Sequence, residues 1–237
     1  MRLFELSPRL RAVADRVPAG ARFADVGTDH AYLPVWLLLR GDISSAVASD
    51  LRQGPLDRAR RTAQRYGVTE RISFRLCDGL SGIAPEEADT IAIAGMGGET
   101  IAAILSAAPW TRSGACRLLL QPMSAVPDLR GCLQANGYRI EGEALIREGD
   151  TTYHLLEAAP GEMEPLTPAQ RWAGRQDAGQ DPALRGELLD VLVRRAEKAL
   201  AGIRRSVRPS DAPRREELEQ VYTGLIEMKK EWDAWQR

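Results

Sequence analysis

The chain has 237 residues, a formal net charge of −1, 44% hydrophobic residues and 27% charged residues. This composition is typical of a folded globular protein, and it excludes a disordered, fibrous or uniformly basic chain. The charged N-terminal segment lacks the pattern of a signal peptide, and no run of about 18 apolar residues predicts a membrane span. Cys77, Cys116 and Cys132 are few and widely spaced. We therefore expect a cytoplasmic protein with neither a disulfide framework nor a bound metal.

Strand and helix patterns alternate along the first part of the chain. Ser7 followed by Pro8 predicts the start of a helix, with a capping hydroxyl and a proline at the first helical position. Strands are then predicted at residues 22–26, 45–49, 72–75, 90–94 and 117–121, and helices at 31–40, 54–66, 99–107 and 126–135. Apolar strands that alternate with helices indicate an α/β fold with a mostly parallel sheet covered on both faces.

The pattern changes after Gly137. Residues 138–158 contain two strand-like runs separated by residues 148–150, which predicts a β-hairpin and therefore one antiparallel strand at the end of the sheet. Strand patterns stop near Pro160. We expect a first domain, residues 1–160, that contains the whole sheet.

Two heptad-like helical patterns follow in residues 161–237, which we expect to form a second domain. Their apolar positions are Leu189, Leu192, Ala196, Ala199 and Ile203, then Leu218, Val221, Leu225, Met228, Trp232 and Trp235. An Arg- and Pro-rich segment, residues 204–215, separates the two patterns. The simplest arrangement is an antiparallel α-helical hairpin with coiled-coil packing, in which Trp232 and Trp235 lie on the seam.

Polar residues and glycines cluster directly after the predicted strands, where open α/β sheets bind their ligands. In chain order they are Asp25, Gly27, Thr28, Asp29 and His30 after the first strand, Asp50 and Leu51 after the second, Asp78 and Gly79 after the third, Gly95 and Met96 after the fourth, and Gln121 and Pro122 after the fifth. Because several strand ends supply such residues at one edge of the sheet, the sequence predicts a ligand site there.

The residue types indicate what kind of ligand this site binds. Gly27 allows the backbone to approach a ligand without an intervening side chain. Asp50 lies 23 residues after Gly27, about where a ribose-binding acid is expected, and a carboxylate there can accept hydrogen bonds from both ribose hydroxyls. Asp78 is a candidate acceptor for the exocyclic amine of adenine. Because the site contains several carboxylates, it repels phosphate and favours a cationic ligand.

These motifs resemble those of class I S-adenosylmethionine-dependent methyltransferases, in which Asp-x-Gly follows the first strand and acids follow the next two. More narrowly, ADVGTDHAYLP, CDGL, IAIAGMGGETI and LLLQP are similar to the bacterial tRNA adenine-22 N1-methyltransferase family, TrmK, over nearly the whole chain. The resemblance implies a Rossmann-like sheet with a terminal antiparallel hairpin, followed by a C-terminal helical coiled coil. It also implies methyl transfer from S-adenosylmethionine to N1 of an adenine in tRNA. The chain departs from general methyltransferases at Asp29 and Ala31, where glycine is usual, and from many TrmK members at Met123, where Asn is usual.

The resemblance also assigns roles to the residues at the strand ends. The expected cofactor-binding residues are Asp25, Gly27, Thr28, Asp50, Leu51, Asp78, Gly79, Gly95 and Met96. Asp29 is the first candidate catalytic residue and His30 the second. A carboxylate near adenine stabilises the positive charge that methylation places on the base, and loss of an exocyclic proton neutralises the product. Arginines of the hairpin turn are expected to contact tRNA phosphates, and these are Arg204, Arg205, Arg208, Arg214 and Arg215.

Simpler structural roles remain open for several of these residues. Asp25 has a possible role in capping the following turn, and Asp29 as N-cap of the helix at residue 31. A purely structural role is open for His30, and residues 95–98 are open to interpretation as a tight turn alone. Cys77 and His154 are interpreted as packing residues, and the arginines of the helix after Asp50 as a solvated face.

Two functions of other classes also remain open. A nicotinamide-dependent oxidoreductase uses the same kind of ribose acid, but the glycine fingerprint is missing and the terminal hairpin is not required. A partner-binding protein with a vestigial cofactor site is the other alternative. The sequence does not predict the oligomeric state.

Overall fold

The computed structural model describes residues 4–177, 180–205 and 208–237. They form two compact units, Met1–Met163 and Glu164–Arg237. The elements of the first unit are α1 (Pro8–Ala14), β1 (Phe23–Val26), α2 (Tyr32–Arg40), β2 (Ala46–Asp50), α3 (Gln53–Arg65), β3 (Ile72–Leu76), β4 (Thr90–Gly97), α4 (Gly98–Ala107), β5 (Arg117–Ser124), α5 (Val126–Ala135), β6 (Tyr138–Glu148) and β7 (Thr151–Pro160).

The strands form one seven-stranded sheet with the order β3-β2-β1-β4-β5-β7-β6. Strands β1 to β5 pair in parallel, and β7 lies antiparallel between β5 and β6. The predicted α/β class, mostly parallel sheet and terminal hairpin are therefore confirmed. The parallel order also places the carboxyl ends of β1 to β5 at one edge of the sheet.

Apolar side chains on both faces of the sheet explain why its central strands read as continuous hydrophobic runs. Leu119 of β5 belongs to the core cluster that contains Trp36, whereas its neighbours Leu118 and Leu120 belong to the cluster that contains Ile101. Successive side chains of a strand point to opposite faces, so both faces bury apolar surface.

The structure contradicts three local details of the sequence analysis, two of which were alternatives that it left open. Strand β4 continues to Gly97, with register shifts against β5 at Met96, so residues 95–98 are not simply a tight turn but begin as an irregular strand end. Asp29 is not the N-cap of α2, because the helix begins at Tyr32 and its N-cap is Ala31. Ser7 is the N-cap of α1, but its hydroxyl makes no capping hydrogen bond.

The second unit contains a short helix that the sequence did not predict, α6 (Pro168–Ala173), and two long helices, α7 (Pro182–Ile203) and α8 (Ala212–Trp235). Ion pairs join Arg204 to Glu219 and Lys229 to Asp190, at 3.3 Å each, so the long helices run antiparallel. Within the predicted turn, residues 206 and 207 lie outside the described part of the chain.

The predicted seam between the long helices is only partly correct. Leu192 of α7 and Leu225 of α8 are buried, and so is Trp232. Trp235 is 44% exposed, and its ring meets that of Trp232 edge-on at 5.9 Å between centroids. The seam prediction for Trp235 is therefore wrong, because the helix ends there. No described helix has the length and apolar composition that crossing a membrane requires.

Candidate functional site

A cavity of about 570 Å³ lies at the carboxyl ends of β1, β2, β3 and β4. The predicted site residues that line it are Gly27, Asp29, Asp50, Leu51, Asp78, Gly79, Gly95 and Met96. Asp25, Thr28 and His30 are not among its lining residues. The strand ends therefore bring most of the predicted site together, as the parallel sheet requires.

The loop after β1 is fixed against β2 by backbone hydrogen bonds. The N–H groups of Gly27 and Thr28 both donate to the carbonyl oxygen of Ser49, at 2.8 and 2.9 Å. Gly27 has a φ of +74°, and a Cβ atom there would overlap Cε of Met96. Only glycine therefore allows the loop and the Met96 side chain to approach each other at this wall of the cavity.

Asp25 and Thr28 are bonded to each other behind this loop. The Thr28 hydroxyl donates to Oδ2 of Asp25 at 2.5 Å, and Asp25 is only 6% exposed. Burial raises the pKa of Asp25 from 3.8 to about 6, the Thr28 hydroxyl partly opposes the shift, and the charge of Asp50 adds to it. This carboxyl group is therefore much more easily protonated than an ordinary aspartate.

Asp50 is available to a ligand at the end of β2. Its Oδ1 accepts the backbone N–H of Arg52 at 3.0 Å, while Oδ2 makes no hydrogen bond to any part of the chain that the structure describes. Next to it, Leu51 lines the cavity and is 65% exposed. Cys77, interpreted from sequence as a packing residue, also lines the cavity, and its thiol donates to the carbonyl oxygen of Gly79 at 3.6 Å.

Asp29 forms an ion pair across the cavity with an arginine that the sequence analysis assigned to a solvated face. Nε of Arg58, on α3, donates to Oδ1 of Asp29 at 3.0 Å, and Nη2 donates to the same oxygen. His30 Nε2 lies 3.7 Å from the other oxygen, Oδ2. Both Asp29 and Arg58 line the cavity, so the solvated-face interpretation is wrong for Arg58.

The backbone around His30 adopts an uncommon conformation. Asp29 and Ala31 have φ angles of +47° and +54°, in the left-handed region that favours glycine. These are the two positions at which methyltransferases in general have glycine. At both positions this chain therefore carries a side chain on a left-handed backbone.

Gln121 and Arg9 support the cavity from outside. Oε1 of the buried Gln121 accepts hydrogen bonds from the backbone N–H of Gly95 at 3.1 Å and from Nη1 of Arg9 at 3.2 Å. Nε of Arg9 pairs with Glu148 at 3.0 Å. Gln121 is expected at a strand end from the sequence alone. A role for Arg9 is not, because its partners are more than 100 residues away along the chain.

His154 is part of a buried polar cluster and not simply a packing residue. Its Nδ1 lies 3.2 Å from Nη2 of Arg130, and Arg130 also forms two hydrogen bonds with Glu143, at 3.0 and 2.6 Å. Arg130 is fully buried. The cluster ties α5 to the terminal hairpin.

A separate cleft of about 840 Å³ lies within the second unit. Four of its lining residues are glutamates, Glu216, Glu219, Glu227 and Glu231. None of the predicted site residues lines this cleft, so we assign the candidate site to the smaller cavity at the strand ends. Residues 4–177, 180–205 and 208–237 contain no cluster of three or more His, Cys, Asp or Glu residues that could hold a metal.

The sheet order, the antiparallel β7 and the cavity at the carboxyl ends of the parallel strands define a class I methyltransferase. Consistently, the family model described as "Methyltransferase domain" matches residues 6–156. The chain is 40% identical over 164 residues to the tRNA (adenine(22)-N(1))-methyltransferase of Bacillus subtilis, which is 69% of each protein. The chain belongs to this methyltransferase family.

Solved structures agree with this assignment. The crystal structure of the B. subtilis m1A22 tRNA methyltransferase TrmK has a TM-score of 0.84 and 31% sequence identity, and the match covers 96% of this chain and 100% of that one. A candidate tRNA (m1A22) methyltransferase of Streptococcus pneumoniae, in complex with S-adenosyl-L-methionine, has a TM-score of 0.75 and 31% identity, with 95% and 100% covered.

Proposed function

We propose that this protein transfers a methyl group from S-adenosyl-L-methionine to N1 of an adenine in tRNA, and that the target is adenine 22. The observation that carries the proposal is the cavity at four strand ends, lined by Asp50 with a free carboxylate oxygen, in a chain that is 40% identical to an enzyme named for this reaction. As tRNA is its substrate, we propose the cytoplasm as its location.

The lining of the cavity fits the cofactor. Asp50 would accept hydrogen bonds from the ribose hydroxyls, and Asp78 from the exocyclic amine of adenine. Gly27 and Gly95 would let the backbone approach the cofactor, and Met96 and Leu51 would contact its apolar parts. Asp25 and Thr28, which do not line the cavity, would act indirectly by holding the loop after β1.

The cofactor supplies an already activated methyl group, so the protein mainly has to align the adenine and stabilise charge. We assign the second task to Asp29, because positive charge appears on adenine during transfer and this carboxylate lies at the cavity. His30, with Nε2 at 3.7 Å from Asp29, is the second candidate. Since Arg58 pairs with Asp29, we expect a bound adenine to weaken this ion pair.

The two other functions are less well supported. A dinucleotide would bring a pyrophosphate to the loop after β1, next to the carboxylate of Asp29, and the repulsion between these negative charges disfavours a nicotinamide cofactor. A vestigial site would require neither the close contact between Gly27 and the Met96 side chain nor an Asp50 carboxylate oxygen that is available to a ligand. Both features therefore favour a working cofactor site.

We assign the catalytic role to the predicted first domain, residues 1–160. We assign tRNA contacts beyond the target base to the predicted second domain, the helical residues 161–237. The arginines at the end of α7 and the start of α8 are exposed or half-buried, and arginine forks suit phosphate oxygens.

The test is to incubate purified protein with S-adenosylmethionine and unmodified tRNA and to map the methylated nucleoside by mass spectrometry. We expect 1-methyladenosine at position 22, and none in a tRNA carrying guanine there. Methylation of another nucleotide would contradict the target assignment, and no methylation of any tRNA would contradict the proposed reaction.

A further inference from the structure

The side chains of His30 and Tyr32 form a partly exposed ring pair beside the cavity. Their rings are parallel within 2° and their centroids are 5.1 Å apart, which is an offset stack. The His30 side chain is 37% exposed and Tyr32 is 42% exposed. Two stacked rings with this much accessible surface are suited to stacking with a further flat ring.

The ring pair is held in a fixed arrangement before any ligand arrives. Phe4 packs against Tyr32 with 5.6 Å between ring centroids. His30 stands between Asp29 and Ala31, whose left-handed backbone is uncommon for residues other than glycine. A preorganised surface of this kind loses little conformational freedom on binding.

The position of the pair indicates which flat ring it binds. His30 Nε2 lies 3.7 Å from Oδ2 of Asp29, and Asp29 lines the cavity that we assign to the cofactor. A base that accepts a methyl group from that cavity while facing Asp29 therefore lies within reach of the ring pair.

We propose that His30 and Tyr32 form a stacking subsite for the target adenine of tRNA, a proposal that rests on the proposed function. N1 lies on the Watson–Crick edge, so the base has to be unpaired or extruded before it reacts, and it then loses its stacking neighbours. Aromatic side chains replace those neighbours in many RNA-binding proteins. The ring pair thus holds the base while Asp29 faces its edge.

The first experiment compares Tyr32→Leu with Tyr32→Phe in single-turnover methylation of tRNA at saturating S-adenosylmethionine. Loss of the ring should lower kcat/KM for tRNA by about fivefold or more, whereas Phe, which keeps the ring, should stay close to wild type. The matched control is Phe74→Leu, which removes a partly buried ring on β3 that lies under the guanidinium of Arg60 and takes no part in the support of Tyr32 by Phe4. Tyr32→Gln gives the same readout if the Leu variant does not fold.

The second experiment places 2-aminopurine at the target position of the tRNA, where stacking quenches its fluorescence. We expect brighter emission in the complex with Tyr32→Leu than in the complexes with wild type or Tyr32→Phe. Unchanged tRNA kinetics and emission in Tyr32→Leu would overturn the subsite alone. A weakened affinity for S-adenosylmethionine with unchanged emission would assign the ring pair to the cofactor and also overturn it. Wild-type protein that methylates no tRNA would overturn the proposed function itself.

Discussion

The side chain of Gln121 joins the end of β5 to the end of β4, because its Oε1 accepts the backbone N–H of Gly95 at 3.1 Å. Gln121 is fully buried, and Arg9 donates to the same oxygen at 3.2 Å. Gly95 lines the cavity with a φ of +78°. One buried amide therefore fixes the irregular strand end that forms a wall of the candidate site.

Replacing Gln121 by Leu should loosen this wall. The Gly95 N–H would lose its acceptor, and we expect the free energy of unfolding to fall by about 1–3 kcal/mol and the affinity for S-adenosylmethionine to decrease. Urea denaturation and calorimetric titration measure the two effects. Gln121→Glu, which keeps an acceptor and can pair with Arg9, is the control. Wild-type cofactor affinity in a folded Leu variant would limit Gln121 to a role in the fold.

The ribose assignment predicts a loss of cofactor affinity in Asp50→Ala. Removing the acceptor for two hydroxyls should weaken binding of S-adenosylmethionine by roughly 1–3 kcal/mol, measured by calorimetry. Asp57→Ala is a suitable control, because Asp57 is an acid of α3 that bonds Gln53 at 2.7 Å and does not line the cavity. If both variants bind the cofactor equally well, Asp50 is not the ribose acceptor.

Asp29→Asn should slow methyl transfer without disturbing the fold. Asn keeps the size of the side chain and tolerates the left-handed backbone, and Asp29 caps no helix, so stability should change little. The single-turnover rate on tRNA should fall, because the carboxylate interacts most strongly with charge that appears in the transition state.

Arg58→Gln separates this role from the ion pair itself. It breaks the contact with Asp29 but leaves the carboxylate in place, so transfer should continue at a rate well above that of Asp29→Asn. An equal decrease in both variants would mean that the ion pair, and not the free carboxylate, is required.

The raised pKa of Asp25 predicts a pH-dependent stability. Between 3.8, the ordinary pKa, and about 6, the folded state holds a proton that the unfolded state has released. The contribution of Asp25 to the free energy of unfolding is therefore largest below about pH 4, decreases by up to about 3 kcal/mol as the pH rises to about 6, and is constant above. Urea denaturation of wild type and Asp25→Asn across this range should show that the stability of wild type decreases relative to that of the variant as the pH rises. Parallel profiles would contradict the assignment.

Replacing the arginines of the helical unit should weaken the binding of tRNA but not the binding of the cofactor. Joint replacement of Arg205, Arg208 and Arg214 by Gln should raise KM for tRNA. It should also reduce the salt dependence of binding: the slope of the logarithm of tRNA affinity against the logarithm of salt concentration should become shallower by about one for each lost phosphate contact. Affinity for S-adenosylmethionine should not change. Replacing Glu216 and Glu227 by Gln is the control and should not raise KM. An unchanged KM in the arginine variant would remove these residues from the tRNA surface.

The fold was predictable because its determinants are local. Apolar runs such as Leu118–Leu120 with buried side chains on both faces identify central parallel strands, and the change of pattern after Gly137 identifies the hairpin. The short helix α6 was missed, because six residues are too few for a periodic pattern. Trp235 kept the heptad spacing but lies at the end of its helix, where its side chain is 44% exposed.

Only the site residues that lie at the ends of strands were predictable from the sequence. Asp50 and Asp78 follow strands directly, so chain order alone brings them to one edge. Arg58 contacts Asp29 from one helix, and Arg9 contacts Gln121 from another. Which side of a helix faces the cavity depends on tertiary packing, which the sequence pattern does not determine. Arg58 in particular stands among other arginines of α3 and carries no distinguishing signal.

The left-handed conformation of Asp29 sets fold stability and activity against each other. An L-residue there costs up to about 1–2 kcal/mol relative to glycine, and Asp less than most, so a screen for thermostable variants would be expected to favour Asp29→Gly. Such a variant would lose the carboxylate that we assign to the reaction. Laboratory evolution of this protein for heat resistance alone would therefore tend to select against the very activity that the segment between β1 and α2 supports.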